Sequence, residues 1–242
     1  MKSNTIAIIL AAGKGIRLGA ITKQTPKPLL SVGGMSLLEH ALRFIQEIMP
    51  EKIIVSARYQ YEKLEQAVVE YNQIKNQHVN VVKVGYGTLQ SFSDALPNDF
   101  FGSVLCRDSD YVFSKNILLA VKNNLAKTGM FCSYDISSGT EDVMKVKTDG
   151  KGRMVGASKI LTDFDAVYTG IFTIASEDMS LVREIINEQF SKYTKEDPRV
   201  EVIFDELVSR GREVLIKDIG AKEWFEIDTP EELRVAENFF KK

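Results

Sequence analysis

The sequence predicts an α/β fold with a mostly parallel central sheet, and three observations carry that expectation. Short, continuously apolar runs recur through the first half of the chain, as strands covered on both faces require. Segments with apolar residues at helical spacing alternate with them, the rhythm of repeated strand–helix units. A glycine-rich segment follows the first apolar run directly, and in such sheets ligands sit beyond the C-terminal ends of the strands.

The elements follow in order. Ile6-Ala7-Ile8-Ile9-Leu10 reads as a central strand, and the whole run 6–12 is far too short to cross a bilayer. Residues 36–48 place Leu37, Leu38, Ala41, Leu42 and Ile45 on one helical face, with Ser36 as the cap and Glu39 completing a capping box. A strand over 52–57, a helix over 61–72, a strand over 79–84, a helix over 91–96 and a strand over 103–106 continue the alternation. From about Phe131 the rhythm changes. Residues 144–148 and 154–158 read as hairpin strands around Asp149-Gly150-Lys151-Gly152. A strand over 166–174, helices over 181–190 and 204–209, short strands over 214–218 and 224–227, and a closing helix over 230–240 complete the chain. Neither an internal repeat nor a linker is visible, so one domain is expected.

Composition narrows the function. Of 242 residues, 44% are hydrophobic and 26% charged, enough for a substantial core and too apolar for disorder. The formal net charge of -2 supplies no global basic field for nucleic acid, although local phosphate pockets are compatible with it. Cys106 and Cys132 show no metal or redox spacing, which suggests a reducing compartment and a cytoplasmic location.

The most informative segment is Leu10-Ala11-Ala12-Gly13-Lys14-Gly15-Ile16-Arg17-Leu18. Small residues after a buried strand let the backbone turn sharply and approach a ligand, and its amides can cradle phosphate oxygens. Arg17 adds a planar fork for an oxyanion. Pro26-Lys27-Pro28 then holds a lysine in a stretch that cannot be regular helix. Neither the dinucleotide fingerprint nor the P-loop is met. A second feature is the apolar strand that runs into Arg107-Asp108-Ser109-Asp110, because carboxylates at a strand's C-terminal end suit a hard cation. Either Asp108 or Asp110 could be the ligand. Near the other end, Asp228-Thr229-Pro230 reads equally as a helix cap or as part of an acidic site.

Together these segments resemble the sugar-phosphate nucleotidyltransferase superfamily, whose signature runs L-A-A-G-x-G-x-R followed by P-K-P-L. Both parts are intact here, Leu29 completing the second. Asp110, followed by Tyr111-Val112-Phe113, matches the superfamily's metal aspartate; Ser109 stands in place of its usual glycine, which keeps Asp108 as an alternative. Trp224-Phe225-Glu226-Ile227-Asp228-Thr229-Pro230 resembles the closing W-x-D-I-D-T-P stretch and makes Asp228 the second metal ligand, with Glu226 in a secondary role.

The layout is most similar to small CTP-dependent cytidylyltransferases of the inositol-phosphate or phosphocholine type. The resemblance implies a three-layer α/β/α, Rossmann-like nucleotidyltransferase fold, with a nucleotide-binding half over 1–130 and an acceptor-binding half over 131–242. It implies transfer of CMP from CTP to a small phosphoester or phosphonate with release of pyrophosphate, and Mg²⁺ as cofactor. Arg17 and Lys27 become the catalytic cations, and Leu10, Ala11, Ala12, Gly13, Gly15, Gly87 and Thr88 the nucleotide contacts. Lys145, Lys159, Asp165, Thr169 and Gly170 become acceptor contacts. A homodimer is compatible with this reading; nucleic acid and a membrane span are not expected. The alternatives are a sugar-1-phosphate nucleotidyltransferase using UTP, dTTP or GTP, a glycosyltransferase with an Asp108-Ser109-Asp110 metal motif, and a nucleotide-sensing domain without turnover.

Overall fold

The computed structural model describes residues 4–114, 117–135, 143–192, 198–220 and 224–241. In the first half, β1 (Thr5–Leu10) leads through α1 (Ile21–Gln24), β2 (Ser31–Val32) and β3 (Met35–Ser36) into α2 (Leu37–Gln46). Then come β4 (Lys52–Ala57), α3 (Tyr61–Lys75), β5 (Val79–Lys83), α4 (Thr88–Ala95), β6 (Ser103–Asp108), β7 (Tyr111–Phe113), α5 (Ile117–Lys122) and β8 (Gly129–Ser133). The second half holds β9 (Lys145–Thr148), β10 (Met154–Ser158), β11 (Ala166–Ile174), α6 (Met179–Lys192) and α7 (Val202–Ser209). It ends with β12 (Leu215–Asp218), β13 (Trp224–Glu226) and α8 (Pro230–Phe240).

Nine of the described strands form one central sheet flanked by helices. Its main parallel part runs β6-β1-β4-β5, with a further parallel pair β8-β12; the antiparallel pairings are those of β11 with β6, β8 and β9, and of β9 with β10. The side-chain period of two sorts β1 cleanly between the faces. Ala7 and Ile9 pack with Leu38, Leu42 and Ile45 of α2 and Leu64 and Val68 of α3. Ile6, Ile8 and Leu10 pack with Phe92 of α4, Met179 and Ile185 of α6 and Phe204 of α7. A third, smaller cluster joins Leu18, Leu30 and Val32 to Val112, Ile227 and Ala236. It fastens the loops that follow β1 to β7 and α8, so the chain's first and last motifs share one core.

Three local expectations change. Ser36 caps α2 by accepting from the Glu39 amide at 3.0 Å, but the Glu39 carboxylate turns to Arg43, so the capping box is only half made. The complete box lies at α8, where Thr229 accepts from the Glu232 amide and the Glu232 carboxylate accepts from the Thr229 amide. Finally β7, α5 and β8 were not legible in the sequence. β7 has three residues and α5 six, while β8 is buried along its whole length and so shows no alternation. No described helix is long and apolar enough to cross a membrane.

Candidate active site

The C-terminal ends of the strands border a cavity of about 660 Å³, within the range of a small-molecule site. Its first wall is the segment after β1. Leu10, Ala12, Gly13, Gly15 and Arg17 line it. Gly15 has a left-handed φ of 61°, and a Cβ there would lie 3.0 Å from Thr22 Cγ2 and 3.1 Å from Lys27 Cβ. Only glycine lets this loop turn while resting on the Lys27 stem. Ala11 departs from expectation: it is buried, and its amide already donates to the Ser56 carbonyl at 3.0 Å, so it offers no donor to a ligand. Gly87 and Thr88, at the start of α4, line the cavity, and Thr88 Oγ1 accepts from the Val200 amide at 3.0 Å.

The charged centre is assembled by a two-stranded ribbon. β7 pairs antiparallel with β13, and the Ile227 amide donates to the Asp110 carbonyl at 2.9 Å. That ribbon brings together carboxylates far apart in the chain. Single oxygens of Asp110, Glu226 and Asp228 lie within 4.8 Å of one another. Lys27, 6% exposed at the start of a short 3-10 turn (Lys27–Leu29), donates to Asp110 Oδ2 at 2.6 Å and to Asp228 Oδ1 at 2.5 Å. Arg17 pairs with the other Asp228 oxygen. The reading of Asp228 as a helix cap and its reading as an acidic site resolve into two neighbours: Thr229 is the cap, and Asp228 points its carboxylate into the cavity.

Charge and burial set the protonation of the centre. Burial alone would lower the Lys27 ammonium, but the charges of Asp110 and Asp228 outweigh it and raise it above its ordinary value. Burial likewise pushes against ionised Asp228, yet Lys27 and then Arg17 hold its carboxyl below the usual range. Glu226 forms no ion pair among the described residues: burial, then Asp110 and Asp228, push it up to about 8 against the weaker pull of Lys27. Asp108 lines the cavity outside the three-carboxylate group, and burial followed by the Asp110 charge raises it well above the usual range. Asp110 Oδ1 is buried with no hydrogen-bond partner. An orphaned carboxylate oxygen beside two further carboxylates is an oxygen-donor set of the kind hard divalent cations take.

Beneath this turn lies a residue that the sequence reading passed over. Arg107 is 1% exposed, held between the Phe44 and Phe113 rings at 5.2 and 5.0 Å from their centroids. It donates to the carbonyls of Asp108 at 3.1 Å and Tyr111 at 2.5 Å, bracing both ends of the turn that carries Asp110. An arginine inside an otherwise apolar strand was the available signal.

The opposite wall differs from expectation. Of the five acceptor candidates, only Lys159 lines the cavity. Lys145 lies instead 5.3 Å over the Phe164 ring, and Asp165 accepts from the Thr148 amide at 2.8 Å and from Lys147. Thr169 is fully buried and donates to the Phe131 carbonyl at 2.8 Å, leaving no hydroxyl for a ligand. Gly170, with φ 72°, serves the packing of the Tyr111 ring, which a Cβ would meet at 2.5 Å. In their place stand Tyr168, whose buried hydroxyl has no partner, and Arg199 and Glu201 just ahead of α7.

Comparison with known proteins identifies the family and the fold. Residues 7–136 match the model of the MobA-like NTP transferase domain. The chain is 26% identical over 245 residues to a bifunctional IPC transferase and DIPP synthase of Aquifex aeolicus, covering 98% of this chain and 52% of that protein. It is 36% identical over 115 residues to a choline-phosphate cytidylyltransferase of Haemophilus influenzae, covering 47% of each. The chain thus spans about half the length of the curated relatives it matches. The structure of an inositol-1-phosphate CTP transferase from T. maritima superposes with a TM-score of 0.79 at 21% identity, over 100% of this chain and 96% of that one, and so shares its fold.

Proposed function

The chain belongs to the MobA-like NTP transferase domain family, and from that membership we propose that it transfers CMP from CTP to a small phosphorylated acceptor, releasing pyrophosphate. The observation that carries the reading is Lys27 seated between Asp110 and Asp228, with Arg17 on the same Asp228, beside a glycine loop that can admit phosphates. Names of relatives support the base and the acceptor class: one is a choline-phosphate cytidylyltransferase, another an IPC transferase.

The reaction is an in-line displacement. A phosphate oxygen of the acceptor forms a bond to the α-phosphorus, and the bond from that phosphorus to the bridging oxygen breaks, releasing pyrophosphate with the electron pair. The acceptor phosphate is already ionised at neutral pH, so neither a covalent enzyme nucleophile nor a general base is required. Positioning and charge stabilisation supply the acceleration. Lys27 is a fixed point charge for the α-phosphate, and Arg17 can grip the departing pyrophosphate bidentately. Both are paired to carboxylates in the structure, so phosphate binding exchanges one anionic partner for another. Asp110 and Asp228, with Glu226 beside them, would hold Mg²⁺, which supplies Lewis-acid charge to phosphate oxygens when bound. On the acceptor side, Lys159 and Arg199 provide the charge for the acceptor's phosphate.

The test is pyrophosphate release with Mg²⁺, pairing CTP, UTP, dTTP, GTP and ATP with inositol phosphate, phosphocholine and glucose-1-phosphate. Release confined to CTP and a non-sugar acceptor is the expected result. Release with another nucleotide and a sugar phosphate would keep the chemistry and replace the substrates. Triphosphate binding without turnover on any acceptor would overturn the enzymatic reading.

A further inference from the structure

At the end of the cavity away from the carboxylates stand two side chains that the mechanism has not used. Arg58 directly follows β4, and Tyr86 lies between β5 and α4; both line the cavity. The Arg58 guanidinium sits 5.0 Å over the Tyr86 ring centroid. Its Nε is buried with no hydrogen-bond partner, and no carboxylate of the described residues pairs with it. Tyr86 keeps 72% of its surface exposed, so its ring is open to a ligand entering the cavity. A planar cation over an aromatic face, with donors unspent, is poised to meet an acceptor edge.

Topology says which part of a nucleotide reaches it. Across the sheet the order is β6, β1, β4, β5. Asp110 follows β6, the glycine loop follows β1, Arg58 follows β4 and Tyr86 follows β5. On the other side of β6 lies β11, carrying Tyr168, with Lys159 at the end of β10. With the acceptor on the side beyond β6, where Lys159 and Tyr168 stand, the sugar and base of a triphosphate held at the glycine loop and the carboxylates take the remaining side, over β4 and β5.

We propose that Arg58, lying over the Tyr86 ring, reads the base of the nucleotide and selects cytosine over uracil and thymine. The guanidinium has donors and no acceptor, so it favours an edge with two adjacent acceptors. Among the pyrimidines only cytosine presents two adjacent acceptors, O2 and N3. Uracil and thymine place an N–H donor at N3, which would confront the guanidinium donor to donor. A pyrimidine that differs from cytosine only on this edge is thereby rejected. The inference rests on the nucleotide-dependent reading of the site, and deepens it by naming the residue that chooses the base.

Equilibrium binding separates the two. Dissociation constants for CTP, UTP and inorganic tripolyphosphate would be measured with Mg²⁺ for the natural protein, Arg58→Met and Arg58→Lys, alongside pyrophosphate release. The natural protein should bind CTP over UTP by about tenfold or more, the scale of one bidentate base contact. Arg58→Met, which keeps the aliphatic stem, should erase that preference and leave tripolyphosphate binding unchanged. Arg58→Lys restores the charge without the fork and should not restore the preference. Equal losses for CTP, UTP and tripolyphosphate would assign Arg58 to the phosphates and overturn the inference, as would an unchanged preference in Arg58→Met. Base-selective binding without pyrophosphate release would instead uphold Arg58 and sink the transferase reading.

Discussion

The two walls of the cavity are built on different principles. The wall we assign to the nucleotide is made of backbone and of cations fixed close to it: Gly13 and Gly15 after β1, Arg17 in the next turn, and Lys27 in the rigid turn after Pro26. The wall we assign to the acceptor is made of side chains from three separate places: Lys159 after β10, Tyr168 within β11, and Arg199 with Glu201 ahead of α7. Where the backbone does the work, residue types and spacing are constrained together, because a bulkier residue cannot make the turn. Where side chains converge from distant elements, each position is constrained only by which way its element faces. The first wall should therefore be fragile to small changes, and the second should respond one contact at a time.

The largest effects are expected at the cations. Arg17→Ala should cut turnover by roughly 10²- to 10³-fold while circular dichroism and unfolding midpoint stay near those of the natural protein, since Arg17 is half exposed. Lys27→Met should lower turnover at least as far. It also removes the shared partner of Asp110 and Asp228, so those carboxylates then repel each other. A divalent cation should therefore stabilise Lys27→Met against heat more than it stabilises the natural protein, and thermal scans with and without Mg²⁺ would read this. Full activity in either variant would remove the assigned roles.

Next in size is the loop itself. Gly15→Ala places a methyl in a left-handed conformation, 3.1 Å from the Lys27 stem. Turnover should fall by roughly tenfold or more, because a small displacement of a positioned group is costly in rate. Gly13→Ala is the internal control. Its Cβ meets nothing within 4 Å and no positive φ is required, so the unliganded fold should be unaffected. If Gly15→Ala matched the natural protein in rate, the backbone account of this wall would be wrong.

This contrast also explains what the sequence made legible. The strands β1, β4 and β6 each carry a short apolar run, and the loops after β1 and β6 carry their chemistry within a few residues, so both could be read directly. Asp110 and Asp228 could be proposed, but not the antiparallel pairing of β7 and β13 that joins them, since each strand has only three residues. On the acceptor side Lys159 lines the cavity, but on β11 the lining residue is Tyr168, one position from the expected Thr169. In β11 every residue is buried, so alternation gives no sign that Tyr168 faces the cavity while Thr169 points at β8. Arg199 and Glu201 sit in a polar stretch where charged residues are unremarkable.

The acceptor wall should yield smaller, separable effects. Lys159→Ala and Tyr168→Phe should each raise the acceptor KM, by about tenfold and severalfold, and leave the CTP KM unchanged. Tyr168→Phe removes a buried hydroxyl that has no partner in the protein, so its fold should be as stable as the natural one or slightly more. Steady-state kinetics with each substrate varied in turn, together with denaturant unfolding, would measure both. A higher CTP KM in either variant would mean that the two walls are not separable in this way.

The smallest kinetic effect should come from Thr169→Val, which distinguishes lining the cavity from supporting it. Thr169 Oγ1 donates to the Phe131 carbonyl across the β11–β8 pairing, entirely out of solvent. Valine keeps the shape and the branched β-carbon suited to a strand, so the loss is one buried hydrogen bond, about 1–2 kcal/mol. The unfolding midpoint in denaturant should fall accordingly with an unchanged slope, because the surface exposed on unfolding stays the same. Both KM values and kcat should match the natural protein. A raised acceptor KM in Thr169→Val, with stability intact, would return this hydroxyl to the site and show that β11 turns a different face to the cavity when the acceptor binds.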